Sequence, residues 1–216
     1  MNRALSVFAR ACGGQLFGSD RPYTGVSTDT RTLKPGELFV ALHGPRFNAN
    51  DFIAAAETAG AAGAVVDARL ERPLPQILVK DTQLALTSAA AAWRTQFRIP
   101  VVGVAGSNGK TTVKEMTAAI LERSGVTLAT RGNLNNHIGV PLTLYRLDAG
   151  HKYAVVEIGA NRAGEVADLV KVVRPTVGLI TNAGAEHLEG FGSLEGVARA
   201  EGEMVAGLDA TATAVI

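Results

Sequence analysis

From Val101 onward the chain repeats one pattern: a short apolar run, a glycine-bearing turn, then a stretch of helical periodicity. The apolar runs are Val101 to Ala105, Val126 to Ala129, Tyr153 to Ile158, Val177 to Thr181 and Thr213 to Ile216. Helical stretches lie near Thr111 to Arg123, Gly139 to Leu147, Glu165 to Val173 and Ser193 to Leu208. Near-continuous apolar strands alternating with helices bury both faces of a sheet, which is the signature of a parallel sheet flanked by helices. An α/β fold is expected.

The first part of the chain is less regular. Leu5, Phe8, Ala9 and Cys12 recur at helical spacing and stop at Gly13-Gly14. Thr24 to Thr28 and Glu37 to Leu42 read as strands joined by a turn at Thr32 to Gly36. Asn50 or Asp51 is placed to cap a helix through Phe52, Ile53, Ala56 and Ala59 to Gly60, and Ala64 to Val66 and Gln76 to Val79 read as buried strands. Together they predict a small N-terminal α/β domain over residues 1–80. Asp81 caps an Ala-rich helix, Thr82 to Phe97, giving a connecting helix over 81–98. The parallel-sheet domain then occupies 99–216, and because it stops on a strand it is expected to be incomplete.

Composition excludes several classes. The 216 residues are long enough for two modest domains with real cores. With 21 basic and 20 acidic residues the net charge is +1, so no bulk field favours nucleic acid or an anionic membrane. Aromatic residues make up 5%, too few for a base-stacking platform. The single cysteine, Cys12, excludes an intramolecular disulfide, fits a reducing compartment and reads as a small packed hydrophobe. The N-terminal apolar run is broken by Arg10 and is too short for a signal peptide, and no run approaches the ~18 apolar residues of a membrane span. A soluble, cytoplasmic monomer is expected.

The chemistry concentrates at Gly106-Ser107-Asn108-Gly109-Lys110-Thr111-Thr112, between a strand and a helix. Backbone N–H groups at a helix start converge on one spot, and the helix dipole adds positive potential there. A triphosphate suits both: Lys110 would reach its phosphates and the Thr111 hydroxyl would ligate Mg²⁺. The loop is the short G-x-x-G-K-T-T form, since the first glycine of the longer pattern would fall at Val104. An incidental lysine after a glycine turn is the plainer reading, and the flanking strand, helix and Lys-Thr-Thr triplet weigh against it. By itself the loop indicates binding of a nucleoside triphosphate and no more.

Other candidates fall at the same strand ends, where ligands of parallel sheets gather. Glu157 ends one strand and can hold Mg²⁺, with a solvated strand-end acid as the alternative. His187 follows the next strand and is a second candidate ligand, against surface decoration. Asn182, on that edge, could meet the nucleotide. The cluster Gly132-Asn133-Leu134-Asn135-Asn136-His137-Ile138-Gly139 suits either turn and cap chemistry or recognition of a substrate amide.

These blocks carry a resemblance. The run from Gly106 to Met116 resembles the ATP loop of the Mur ligases. Gly132 to Pro141, Glu157-Ile158-Gly159-Ala160-Asn161 and His187-Leu188-Glu189-Gly190-Phe191-Gly192-Ser193 are similar to one branch of that family, which joins D-Ala-D-Ala to UDP-N-acetylmuramoyl-tripeptide. Ser27-Thr28-Asp29-Thr30-Arg31 and Leu38 to Gly44 are similar to its uridine-diphosphate domain. The resemblance implies ATP and Mg²⁺ as cofactors and an acyl-phosphate route in peptidoglycan synthesis, with Lys110, Glu157 and His187 catalytic. It implies residues 106–112 and Asn182 at the nucleotide, and Thr111, Glu157 and His187 at the metal. Ser27, Thr28 and Arg31 would face the uridine diphosphate, and Asn136 the muramoyl peptide.

Two departures bear on this. Glu201 stands where the family carries a lysine, typically carbamylated, that binds a second Mg²⁺, so Glu201 is expected to supply the anionic oxygen on a shorter arm, with an impaired second metal site as the alternative. Family members also continue into a C-terminal domain that closes over ATP, and these 216 residues alone are expected to be inactive. The rival readings are another amide ligase of the superfamily (a different muramoyl peptide, or folylpolyglutamate), a P-loop nucleotide module without ligase activity, and a non-catalytic binder of the UDP-linked peptide.

Overall fold

In the computed structural model of the chain, which describes residues 3–44, 47–185 and 188–216, the first apolar residues form α1 (Leu5–Cys12) and bury Leu5, Phe8 and Ala9. Gly13, at φ 68, ends the helix, as the Gly13-Gly14 pair predicts. There follow β1 (Gln15–Phe17), β2 (Val26–Ser27), β3 (Leu38–Val40), a hairpin of β4 (His43–Gly44) and β5 (Phe47–Asn48), α2 (Ile53–Thr58), β6 (Gly63–Val66) and β7 (Gln76–Leu78). The sheet order is β1-β7-β6-β3-β2, with β1 antiparallel to β7 and the other pairs parallel. Phe39, Ile53, Ala56, Ala64 and Val66 centre its core.

Three expectations need correcting here. The strands around Val26 and Phe39 are shorter than read, and β1 and the hairpin were not foreseen. No side chain caps α2; a 3-10 turn over Ala49–Phe52 leads into it. Asn50 instead donates to Asp67 Oδ1 at 2.5 Å, and the same carboxylate takes His43 Nε2 at 2.6 Å.

Asp81 does begin α3 (Thr82–Arg94), accepting the Leu84 N–H at 2.9 Å, and the helix stops three residues before Phe97. The chain divides into two compact units, residues 1–92 and 93–216, so the division falls inside α3.

The second unit contains β8 (Val101–Ala105), α4 (Lys110–Glu122), β9 (Thr127–Ala129), α5 (Gly139–Leu144), β10 (Tyr153–Glu157), α6 (Glu165–Val173), β11 (Val177–Ile180), α7 (Leu188–Phe191), α8 (Leu194–Ala206) and β12 (Thr213–Val215). All five strands are parallel, in the order β12-β11-β8-β10-β9. The bounds of β8 and α6 are those read from the pattern, and α7 was missed.

Strand β8 lies between β10 and β11. The chain leaves β8 toward one side of the sheet and later crosses to the other, so the C-terminal end of β8 is the topological switch point where α/β sheets open a crevice. Val104, Val155 and Ala118 pack α4 onto the sheet. The spacing places Val113, Met116, Ile120 and Leu121 on one face; Val113 and Leu121 do pack against this cluster, whereas Met116 and Ile120 are 61% and 66% exposed and Lys114 and Ala118 are buried. No described helix is long and apolar enough to cross a membrane.

Candidate functional site

At the switch point the chain turns from β8 into α4 through Gly106 to Gly109. Gly106 has φ 120, and a Cβ there would stand 2.2 Å from Thr181 Oγ1, so only glycine fits. Its N–H donates to Glu201 Oε2 at 2.7 Å. The Ser107 N–H donates to the Asn182 carbonyl at 2.9 Å, and its hydroxyl exchanges bonds with Gly184, donating to the carbonyl at 3.1 Å and accepting the N–H at 2.8 Å. The Asn182 side chain brackets Asn108: its Oδ1 accepts the Asn108 N–H at 3.2 Å and its Nδ2 donates to the Asn108 carbonyl at 2.9 Å. Thr181 Oγ1 donates to that carbonyl as well, at 2.7 Å. Asn182, expected to meet a nucleotide, is thus seen shaping the loop that would hold one.

Gly109, at φ 80, begins α4, and no side chain caps that start. The neighbouring helix starts differ. Asn136 Oδ1 accepts the N–H groups of Ile138 and Gly139 before α5, Glu203 accepts those of Gly164 and Ala167 at α6, and Ser193 accepts that of Gly196 at α8. The α4 terminus has no such side-chain cap, and its dipole favours an anion. Thr112 is exposed on that first turn, and Lys110 Nζ folds back onto the loop, donating to the Gly106 and Ser107 carbonyls.

Glu157, at the end of β10, is 2% exposed, which removes the solvated-acid reading. Both of its oxygens are held: Oε2 accepts from Thr111 Oγ1 at 2.9 Å and Oε1 from Asn135 Nδ2 at 2.8 Å. Its own N–H donates to Thr130 Oγ1 at 2.9 Å. Gly159 lets Asn135 come this close, since a Cβ would stand 2.9 Å from the amide, and its N–H ties the Asn135 carbonyl at 2.8 Å.

The structure therefore brings Lys110, Thr111 and Glu157 to one strand edge. His187 lies outside the described residues. Asn136 has its oxygen engaged in capping, so its amide NH₂ is the end that could serve a substrate; its neighbour Asn135 reaches the carboxylate. Glu201, 3% exposed, lies against the loop backbone.

Sequence reading missed Asn135, Thr130 and Lys114. Lys114 is fully buried, and its Nζ donates to the Thr130 carbonyl at 2.9 Å and pairs with Glu115 at 2.5 Å. It thereby steadies the residue whose hydroxyl fixes the Glu157 backbone. A lysine four positions after the loop lysine, on the face occupied by Ala118, was the available signal.

In the first unit Ser27, Thr28 and Arg31 share a turn organised by Asp29. Arg31 forks onto the Asp29 carboxylate, with contacts from 2.5 Å, and the Arg31 N–H donates to it at 2.9 Å. These hydrogen bonds from Arg31, side chain before backbone, pull the Asp29 pKa down to about 2. Ser27 Oγ accepts the Asp29 N–H at 3.2 Å.

A hollow of about 990 Å³ opens elsewhere in the second unit, lined by Arg98, Pro100, Lys171, Arg174 and Thr176 among others. Pro100 and Thr176 precede β8 and β11, so this hollow sits at the opposite end of the strands from the phosphate-type loop and takes no part in its chemistry.

Comparison with known proteins shows the family and the fold. Residues 104–216 match the Mur ligase middle domain. The chain is 51% identical over 212 residues to the UDP-N-acetylmuramoyl-tripeptide–D-alanyl-D-alanine ligase of Escherichia coli (strain K12), covering 98% of this chain and 47% of that protein. It is 41% identical over 214 residues to the ligase of that name from Bacillus subtilis (strain 168), with 96% and 47% covered. The chain spans about half the length of the curated relatives it matches. Among solved structures, MurF from Acinetobacter baumannii superposes with a TM-score of 0.92 at 37% identity, covering 99% of this chain and 48% of that one. MurF ligase from Thermotoga maritima, in complex with ADP, gives 0.80 at 31% identity, with 88% and 44% covered.

Proposed function

Because the chain belongs to the Mur ligase family, we propose that it forms the ATP-handling and UDP-substrate-handling part of a peptide ligase that joins D-Ala-D-Ala to UDP-N-acetylmuramoyl-tripeptide. The observation that carries this reading is the buried Glu157 carboxylate bonded to the Thr111 hydroxyl, beside an uncapped helix start at the switch point. Relatives carrying that ligase name, and an ADP complex of one structural neighbour, support it.

In the proposed reaction a terminal carboxylate oxygen of the tripeptide attacks the γ-phosphorus of ATP, the bond to ADP breaks, and an acyl phosphate forms. The amine of D-Ala-D-Ala then attacks the carbonyl carbon and loses a proton, and phosphate departs as the amide forms. Lys110 exchanges its loop carbonyls for phosphate oxygens and neutralises charge on the transferring group. The α4 N–H groups hold the phosphates from the helix side.

The donor set fits Mg²⁺. Thr111 Oγ1 and Glu157 Oε2 are hard oxygens 2.9 Å apart, and Mg²⁺ usually takes one or two protein oxygens beside phosphates and waters. Bound there with His187 as a further ligand, Mg²⁺ would screen the phosphate charge. Asn135 keeps Glu157 aimed at that place. Asn136 would contact the muramoyl peptide through its amide, and Ser27, Thr28 and Arg31 the uridine diphosphate. The reaction belongs to the cytoplasm, where its nucleotide substrates are made.

ADP formation by a chain extended to the length of its relatives tests the proposal. ADP is expected only with the UDP-linked tripeptide present, amide product only when D-Ala-D-Ala is added, and Glu157→Gln should lower the rate by about a hundredfold or more. Steady phosphate release from ATP without either peptide would refute it and favour a nucleotide switch.

A further inference from the structure

Two consecutive peptide groups of the phosphate loop are held at both ends. In the Ala105–Gly106 peptide the carbonyl accepts the Thr181 N–H at 3.0 Å, and the N–H donates to Glu201 at 2.7 Å. In the Gly106–Ser107 peptide the carbonyl accepts Lys110 Nζ, and the N–H donates to the Asn182 carbonyl at 2.9 Å. The four anchors differ in kind. Two are main-chain contacts from the segment following β11. One is the lysine that must leave when a phosphate arrives. The fourth is a buried carboxylate, projecting from α8 and 95 residues away in sequence.

We propose that Glu201 is a positioning residue for nucleotide binding, acting through the Gly106 N–H rather than through a metal ion. The inference rests on the ATP reading above. Gly106 holds φ 120, a conformation open to few alternatives beside Thr181. Once Lys110 turns to the phosphates, the Gly106 carbonyl loses its cationic partner. A peptide freed at that end can rotate and direct its carbonyl dipole at the incoming anion, which repels it. Glu201, gripping the preceding N–H from within the protein, keeps the turn in the form that presents donors. A carboxylate oxygen is a strong acceptor for a backbone N–H, and this one is shielded from competing water.

The rigid platform behind Glu201 fits the role. Val197, Ala200 and Met204 of α8 are buried, and Glu203, two residues on, fastens the start of α6. The short glutamate arm therefore starts from a fixed backbone.

The test combines amide hydrogen exchange at Gly106 in the nucleotide-free protein with ATP and ADP affinity measured in Mg²⁺ and in chelator. Glu201→Ala removes the acceptor, Glu201→Asp withdraws it by one methylene, and Glu201→Gln keeps an oxygen in reach. Gly106 exchange should accelerate about tenfold to a hundredfold in the Ala and Asp variants, the range for a lost bond to a charged acceptor. Nucleotide affinity should fall by about tenfold in both, equally with and without Mg²⁺. Glu201→Gln should stay within about threefold of the parent on both readouts, since a neutral acceptor makes a weaker bond but still makes one.

Unchanged Gly106 protection in the Ala and Asp variants would overturn the proposal. So would affinity lost only in Mg²⁺ and equally in all three variants, which would return Glu201 to the metal. If Gly106 protection follows Glu201 while the parent binds no nucleotide, the anchoring stands and the ATP reading is what fails.

Discussion

The loop at Gly106 and the turn at Asp29 are both short polar segments at strand ends, and they are built in opposite ways. The first is held by partners 73 to 95 residues away, one of them the buried Glu201. The second is held by its own neighbours, with Asp29 bonded to residues two positions to either side and Arg31 86% exposed in its side chain. Distant anchors fix a loop before any ligand comes, because the entropy of ordering it is met by folding of the whole unit. Local bonds on the surface order a turn only weakly. A group that must sit within tenths of an ångström of a reacting phosphate belongs on the first kind of loop; one that only contacts a substrate handle can belong to the second.

The sharpest way to break this contrast is Gly106→Ala. The Cβ would meet Thr181 and the residue would be forced to φ 120, at a backbone cost of about 1–3 kcal/mol before the clash is counted. Loss of nucleotide binding and an earlier denaturant midpoint for the second unit are expected, and retained binding would show that the distant anchors do not matter.

Lys114→Met comes next. It deletes the bond to the Thr130 carbonyl and leaves that group buried without its partner, for about 1–3 kcal/mol. Urea denaturation should show the loss. A Mg²⁺ titration of ATP binding should also show weaker metal dependence, because Thr130 fixes the Glu157 backbone.

Arg31→Ala should matter least, changing stability by less than about 1 kcal/mol. Its signature is titration. Asp29 sits below its ordinary value of 3.8, so its stabilising bonds are complete above that pH and are lost as pH falls through about 2. Without Arg31 the carboxyl should titrate nearer 3.8, as followed by its carbon chemical shift. An unmoved titration would show that the turn is held by something other than the fork.

The same contrast explains what could be read from the chain alone. Strand β8 and helix α6 were legible to the residue because their apolar runs and glycine boundaries are local signals. The approach of Thr111 to Glu157 was legible in outline, since both lie at C-terminal strand edges of a parallel sheet. The anchors were not. Nothing near Glu201 in sequence points to Gly106, and choosing Asn135 over Asn136 as the partner of Glu157 depends on where Gly159 permits close approach. The inner face of α4 was half legible: Val113 and Leu121 pack inward as their spacing implies, whereas Met116 and Ile120 turn outward and a buried lysine takes the inner face, donating to a backbone carbonyl.

The folded-back Lys110 has a consequence for selectivity. Its ammonium is already solvated by two carbonyl dipoles of its own loop, so a visiting anion competes with an intramolecular solvent shell rather than with water alone. A singly charged visitor such as chloride gains little from displacing that shell. A ligand carrying three or four negative charges, with oxygens for both the lysine and the helix start, gains much more. The loop thereby filters by charge density, favouring polyphosphates over the simple anions that surround them.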